Sequence, residues 1–243
     1  MTQGLLGIFK APPAAGGGSD TPPTVEQTDI TRIDNSDTGN GIVGSAITAW
    51  SMSVDDVLIA VLTWRNTNNT DDLTGLALAK YDGTGTLGTF AIDKNYVVHH
   101  GSASTMVAIA SAVCTGAGTI QIEASGYSFA AGATRRGHAL ILARGLDTGA
   151  SRVNATNEAS HSASPATTGT AATGGAGLMV AAMATQTGVT ITEDAAFTLV
   201  GEDSNVSIVY RIVSADTTDQ GEWTLSAGSD GAAAIVNYKS SDP

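Results

Sequence analysis

From about Thr28 onward, apolar side chains fall either at alternate positions or in short unbroken runs, cut at intervals by Gly, Asn, Asp, Ser and Thr. That is the pattern of β-strands separated by turns. The run VLIAVLTW, Val57 to Trp64, is apolar on both alternating sets, which predicts a central strand covered on both faces. Thr105 to Val113 reads the same way. In TIQIEA, Ile120, Ile122 and Ala124 alternate with Thr119, Gln121 and Glu123, which predicts a half-exposed strand. Further strands are expected at Gly137 to Arg144, Gly177 to Ala184, Val206 to Val213, Glu222 to Ala227 and Ala232 to Lys239. In VSIVYRIV the expected inward set is Val206, Ile208, Tyr210 and Ile212, set against Ser207, Val209, Arg211 and Val213. No segment carries a capped apolar stripe of period 3.6, so the class predicted is all-β.

The order of strand types recurs. An apolar strand (Val57 to Trp64, or Leu178 to Gln186) precedes a second one (Thr105 to Val113, or Val206 to Val213). A polar-apolar strand (Thr119 to Ala124, or Glu222 to Ala227) and a closing strand (His138 to Arg144, or Ala233 to Lys239) follow. The spacing drifts between about 95 and about 121 residues, which suits an approximate internal duplication and not a solenoid. The expected architecture is an antiparallel, jelly-roll-like β-sandwich over residues 28–243, with pseudo-repeat halves 28–147 and 148–243. One sandwich is favoured over two tandem domains, because a lone four-stranded sheet leaves an apolar face uncovered.

Ahead of the body stands a different composition. Residues 1–10 hold the apolar cluster Leu5, Leu6, Ile8 and Phe9, and residues 11–27 form a linker with Pro12, Pro13, Pro22, Pro23 and the triplet Gly16 to Gly18. Such a tract holds neither helix nor ladder, and fully extended it spans roughly 40 Å. The first residues carry no basic side chain and the apolar part is short, so a secretory signal is not expected and the segment stays on the mature chain. Burying the four side chains yields about 6 to 12 kcal/mol gross. Ordering the peptide costs a comparable sum at about 1 to 2 kcal/mol per residue. A single copy is therefore a marginal anchor, and several copies on one particle a durable one. These four residues are the expected partner-anchoring site.

Charge narrows the partners. Lys plus Arg is 11 against 23 for Asp plus Glu, a net charge of -12, which repels nucleic acid and anionic headgroups. No run has the length of a membrane span, so no membrane insertion is expected. The one cysteine, Cys114, excludes an internal disulfide and reads as a buried hydrophobe in a protein made in a reducing cytoplasm.

Candidate chemistry is sparse. His99 and His100 point to opposite faces of an extended strand, and His138 and His161 stand far off in sequence, so no zinc site is expected. Asp55 with Asp56, and Asp71 with Asp72, have the residue types of a calcium or glycosidase pair, but the commoner role is that of turn acids at strand ends. No nucleophile elbow is present. YDGTGTLG, Tyr81 to Gly88, lacks the ending of a phosphate loop and is expected to form a hairpin tip. Catalytic, metal and cofactor-binding residues are thus expected to be none. The aromatics that would meet a sugar ring are Trp64, Tyr96 and Tyr127, with core packing the commoner fate for Trp64.

The series DDVLIAVLTWRNT, ALILARGLD, SPATTGTAATGGAGLMVAAMA, FTLVGE, VSIVYRIVSADTT, EWTLSA and AAAIVNYK resembles a β-sandwich module of tailed-bacteriophage structural proteins. Arg144, Gly145, Leu146 and Asp147 match its separator between halves, and Tyr210, Arg211 and Ile212 its second-half strand. The resemblance covers roughly Ala46 to Lys239. The first half departs from it, with LALAKYDG and TMVAIASAV replacing the module's tryptophan element and its Tyr-Arg strand. The resemblance implies a noncatalytic, homo-oligomeric virion protein, made in the host cytoplasm and attached to a capsid or a portal- or tail-proximal protein. Head decoration or head fibre is the first expectation. A tail-associated adhesion module for host surface polysaccharide is the alternative, and a capsule-degrading hydrolase comes third.

Overall fold

A computed structural model describes residues 21–34, 41–43, 52–67, 70, 73–125 and 134–241. The expected anchoring residues Leu5, Leu6, Ile8 and Phe9, most of the expected linker, and Asp71, Asp72 and Tyr127 lie outside the described residues. Among those described there is no helix, and the fold is all-β.

The first half holds β1 (Thr24–Asp34), β2 (Gly41–Val43), β3 (Val57–Asn66), β4 (Ala77–Asp82), β5 (Thr86–Leu87), β6 (Ala91–His100), β7 (Ala103–Gly116), β8 (Gln121–Ser125) and β9 (Thr134–Arg144). The second half holds β10 (Val153–His161), β11 (Ala166–Thr167), β12 (Ala171–Ala172), β13 (Gly177–Thr185) and β14 (Ile191–Glu193). It continues with β15 (Thr198–Asp203), β16 (Val206–Val213), β17 (Thr218–Asp219), β18 (Glu222–Leu225) and β19 (Gly231–Lys239). Strand β1 starts at Thr24, ahead of Thr28, and pairs along β9 from Thr24 opposite Arg144 onward.

Two large antiparallel sheets face each other. One runs β1-β9-β3-β7, with β5 and β6 both on the far side of β7, and the other runs β10-β19-β13-β16-β15. Between them Val57, Ile59, Val61, Ile109 and Ile141 meet Leu178, Val180, Ala182, Ile208 and Val236. The outer face of each large sheet is apolar as well, and each has its own cover. The small sheet β2-β8-β4 brings Leu78, Ile122 and Ala124 over Leu58, Leu62 and Trp64, and β11-β18-β14 brings Ala166, Ile191 and Trp223 over Met179, Met183 and Ile235. The stack is therefore small sheet, large sheet, large sheet, small sheet. This arrangement answers the demand that VLIAVLTW makes for burial on both sides, and its strand is buried at every position from Val57 to Trp64.

The two halves agree in more than strand order. Val57 sits between Val113 and Ala143, as Leu178 sits between Ile212 and Tyr238. With those rows matched, the ladder between β1 and β9 skips Glu26 where the ladder between β10 and β19 skips Asn154. Likewise β6 skips Asp93 between pairs to Ala110 and Ile109, and β15 skips Val200 between pairs to Val209 and Ile208. Across the interior, β1 meets β15, β3 meets β13, and β6 meets β10. The halves are thereby related by an approximate two-fold axis running along the strands.

Every edge strand of the large sheets with more than two residues (β1, β6, β10 and β15) carries a bulge, whereas the ladders joining β3, β7 and β9, and those joining β13, β16 and β19, run without a shift. Bulged edges resist strand addition from another chain.

Two local expectations are corrected. Ile212 is 40% exposed, while Val209 and Val213 are buried in the outer core and Ser207 is buried too. Because both faces of the sheet are covered, alternation no longer marks an inside and an outside, and Ile212 lies toward the strand's end. Tyr81 to Gly88 is not a hairpin tip: β4 pairs with β8 in the small sheet and β5 pairs with β7 in the large one, so this stretch is a corner between layers. Gly83, at φ +105°, lies against Thr119, where a Cβ would come within 2.4 Å of the carbonyl oxygen.

Candidate functional site

The arm enters the body at one pole. Pro23 is buried and the Thr21 carbonyl accepts a hydrogen bond from Ser240 Oγ at 2.5 Å. The segment that receives it is stitched in turn: Ser240 N–H donates to Ala176 O (3.0 Å), Ser241 N–H to Gly145 O (2.8 Å) and Asp147 N–H to Lys239 O (3.0 Å). The first turn of the second half, the last strand and the arm's root are therefore held as one unit.

Arg144 organises this pole. Its guanidinium donates to Asp56 through Nε to Oδ1 (2.8 Å) and Nη2 to Oδ2 (3.0 Å), and reaches Glu26 Oε2 at 3.2 Å and Ser53 Oγ at 3.3 Å. Asp56 is 1% exposed and also accepts from Ser53 N–H at 2.8 Å. It is thus a buried, paired carboxylate and not the solvated turn acid expected from sequence. A two-pronged pair of this kind fixes geometry as well as charge. Gly145 follows at φ +78°, Leu146 drops into the inner core, and Asp147 accepts from Gly149 N–H at 2.7 Å. All four residues from Arg144 to Asp147 thus have a structural part in turning the chain from one half to the other.

Two clefts flank the root. One, of about 320 Å³, lies among Val54, Asp55, Arg144, Leu146 and Ser241, with Val54 56% exposed. The other, of about 380 Å³, is polar and lies among Asp147, Ser151, Thr173, Gly174, Lys239 and Ser240. Among the described residues, neither is lined by a histidine or an aromatic ring.

The residues singled out from sequence are scattered. Trp64 is fully buried, its ring edge-on to His138 with centroids 5.6 Å apart, and presents no face to a sugar; here the core role holds. Tyr96 is partly buried against the inner core. His99 is exposed while His100 is partly buried, as opposite faces of a strand require. Among the described residues no group of three His, Cys, Asp or Glu side chains is placed to hold a metal ion. Cys114 is buried beside Met52, and burial, helped by Asp56, pushes its thiol pKa up to about 12.

Sequence patterns gave no sign of a polar cluster in the inner layer. Tyr238 donates its hydroxyl to Asp93 Oδ2 at 2.7 Å, and Arg152 donates to Ser111 Oγ at 2.8 Å and to Ser111 O at 3.1 Å. Burial raises the pKa of both Asp93 and Tyr238. Its members come from β6, β7, β19 and the turn before β10, a convergence that only the register of two sheets reveals.

At the opposite pole His161 Nδ1–H donates to the Ser229 carbonyl at 3.0 Å, and His100 lies 3.9 Å from Asp230 across the same edge. Burial lowers the pKa of both imidazoles below the ordinary 6.5, and the two repel when charged. The folded form therefore binds fewer protons there than the unfolded chain does. The resulting stability is fully present above pH 6.5 and is lost as pH falls through the depressed values. Asp93, with its raised pKa, acts in the opposite sense at the acid end. The thermal midpoint is expected to fall between about pH 6.5 and 5, and His161→Gln is expected to flatten that slope. An unchanged slope in the variant would assign the loss elsewhere.

No family model, no curated protein and no solved structure matches this chain.

Proposed function

We propose that this protein is a noncatalytic virion component of a tailed bacteriophage, a head decoration or head-fibre protein held to the particle by its N-terminal peptide. The observation that carries this reading is the arm's root. The chain passes from an apolar peptide through a Pro and Gly tract to Thr21, and there it is fastened to the pole built from Arg144, Asp147 and Ser240. Pull on the peptide is thus delivered to the place where both halves are tied together. The strands run from this pole to the opposite one, so the far pole faces away from the proposed attachment. Bulged edges keep neighbouring bodies from merging into one sheet. The resemblance of Ala46 to Lys239 to phage sandwich modules points the same way.

The adhesion reading comes second. It draws on the pole opposite the arm, where His99, Ser162, Gln186, Thr187 and Ser204 offer polar groups from both halves; of the three aromatic residues, Trp64 is ruled out by its burial. The deciding experiment is cosedimentation with particles of the chain lacking residues 1–10. The truncated protein is expected to stay folded and in the supernatant, and its retention on particles would overturn the proposal.

A further inference from the structure

We infer that the two halves descend from one self-pairing unit and have since diverged into a matched pair, so that each inner face accepts the opposite half and rejects a copy of itself. The approximate two-fold axis makes the interior an interface with two equivalent ends. At one end β6 and β7 face β19 and β10; at the other β15 and β16 face β9 and β1. Register sets the correspondence of residues. The bulged Asp93 matches the bulged Val200. Ser111, partner of Ala91, matches Tyr210, partner of Thr198. Tyr238, opposite Val153, matches Ala143, opposite Val25, and Arg152 just before β10 matches Thr24.

Each end thus holds one tyrosine and one small side chain, but in opposite layers. At the first end Tyr238 of the second half stands over Ser111 of the first, and its hydroxyl meets Asp93. At the second end the ring is Tyr210, again from the second half, packed on the inner core with Val200, and its counterpart in the first half is Ala143. Two second halves placed face to face would set Tyr210 against Tyr238 at both ends, which overfills the layer. Two first halves would set Ser111 against Ala143 at both ends. That leaves a void at each end and the Asp93 carboxylate buried without the tyrosine hydroxyl. The mixed pair alone fills both ends. Arg152 completes the match at the polar end, its guanidinium on Ser111.

The kind of partner this surface fits is therefore the complementary half, in the same chain or, in an opened molecule, in a second copy exchanging halves. The inference does not depend on the virion reading. It is tested on the full-length chain by rebuilding one end in the image of the other. Tyr238→Ala alone and Ser111→Tyr alone are each expected to lower the thermal midpoint, by about 5 °C or more. The fourfold variant D93V/S111Y/R152T/Y238A, which copies the second end onto the first, is expected to recover at least half of the larger loss. A fourfold variant that melts at or below the worse single variant overturns the inference. A second measurement reads pairing itself. A protease site placed in the exposed turn Thr148 to Ala150 is cut, heavy- and light-isotope preparations are mixed in sub-denaturing urea, and native mass spectrometry follows. Exchange is expected to give first-half with second-half pairs only. Like pairs, or halves that part altogether, contradict it.

Discussion

Replacing Trp64 with alanine is expected to destabilise the body by about 3 to 5 kcal/mol, a fall of roughly 6 to 20 °C in thermal midpoint for a chain of this size. Trp64 is fully enclosed, and its ring fills the layer between the first large sheet and its small cover along with Leu62, Met106 and Leu140. Its edge-on contact with His138, at 5.6 Å between centroids, is lost together with the buried area. The outer sheet β2-β8-β4 is held mainly by this core, since its own strands are short. Thermal and urea unfolding of Trp64→Ala, with Trp64→Phe as the milder comparison, measure the effect. The same variant separates two uses of the residue. A folded, undestabilised Trp64→Ala protein that failed to bind a host polysaccharide would make Trp64 a sugar contact. Loss of stability without any specific binding defect is what its burial requires.

How much of this was legible in the sequence depends on the distance over which each signal acts. The strand at Val57 to Trp64 announces itself, because an unbroken apolar run of β-formers needs cover on both sides, and it is buried throughout. Thr119 to Ala124 was equally plain, with Ile120, Ile122 and Ala124 buried and the alternate residues half-exposed. The layer count was not legible. The covering sheets use strands as short as β11 (Ala166–Thr167) and β14 (Ile191–Glu193), too brief to carry a period. Hence the pattern carries no signal for the outer cores, or for the burial of Val209 and Val213 at positions that alternation assigns to the outward set. Asp56 shows a second limit. Beside Asp55 it looks like a solvated turn acid, and only its pairing with Arg144, remote in sequence, makes it a buried carboxylate. The arm pole follows the same rule, since Thr21 and Ser240 meet across nearly the whole chain.

The attachment claim has the largest expected effect of all, because it is all or none. A lone anchor peptide is marginal once the cost of ordering it is set against the burial of Leu5, Leu6, Ile8 and Phe9. Several copies engaging one particle raise the effective concentration and make the whole assembly durable. On the proposed attachment, removing the apolar cluster is expected to lose binding at every site together, while the body is expected to keep its thermal midpoint.

The most direct test moves the peptide instead of deleting it. Residues 1–23 are fused to an unrelated, well-folded passenger protein of matched oligomeric state, and particles stripped of the native protein are sedimented with it. The account predicts that the passenger travels with the particles and is displaced by the intact native protein. A passenger left in the supernatant, while the body without its first ten residues still binds, would contradict the account at its root.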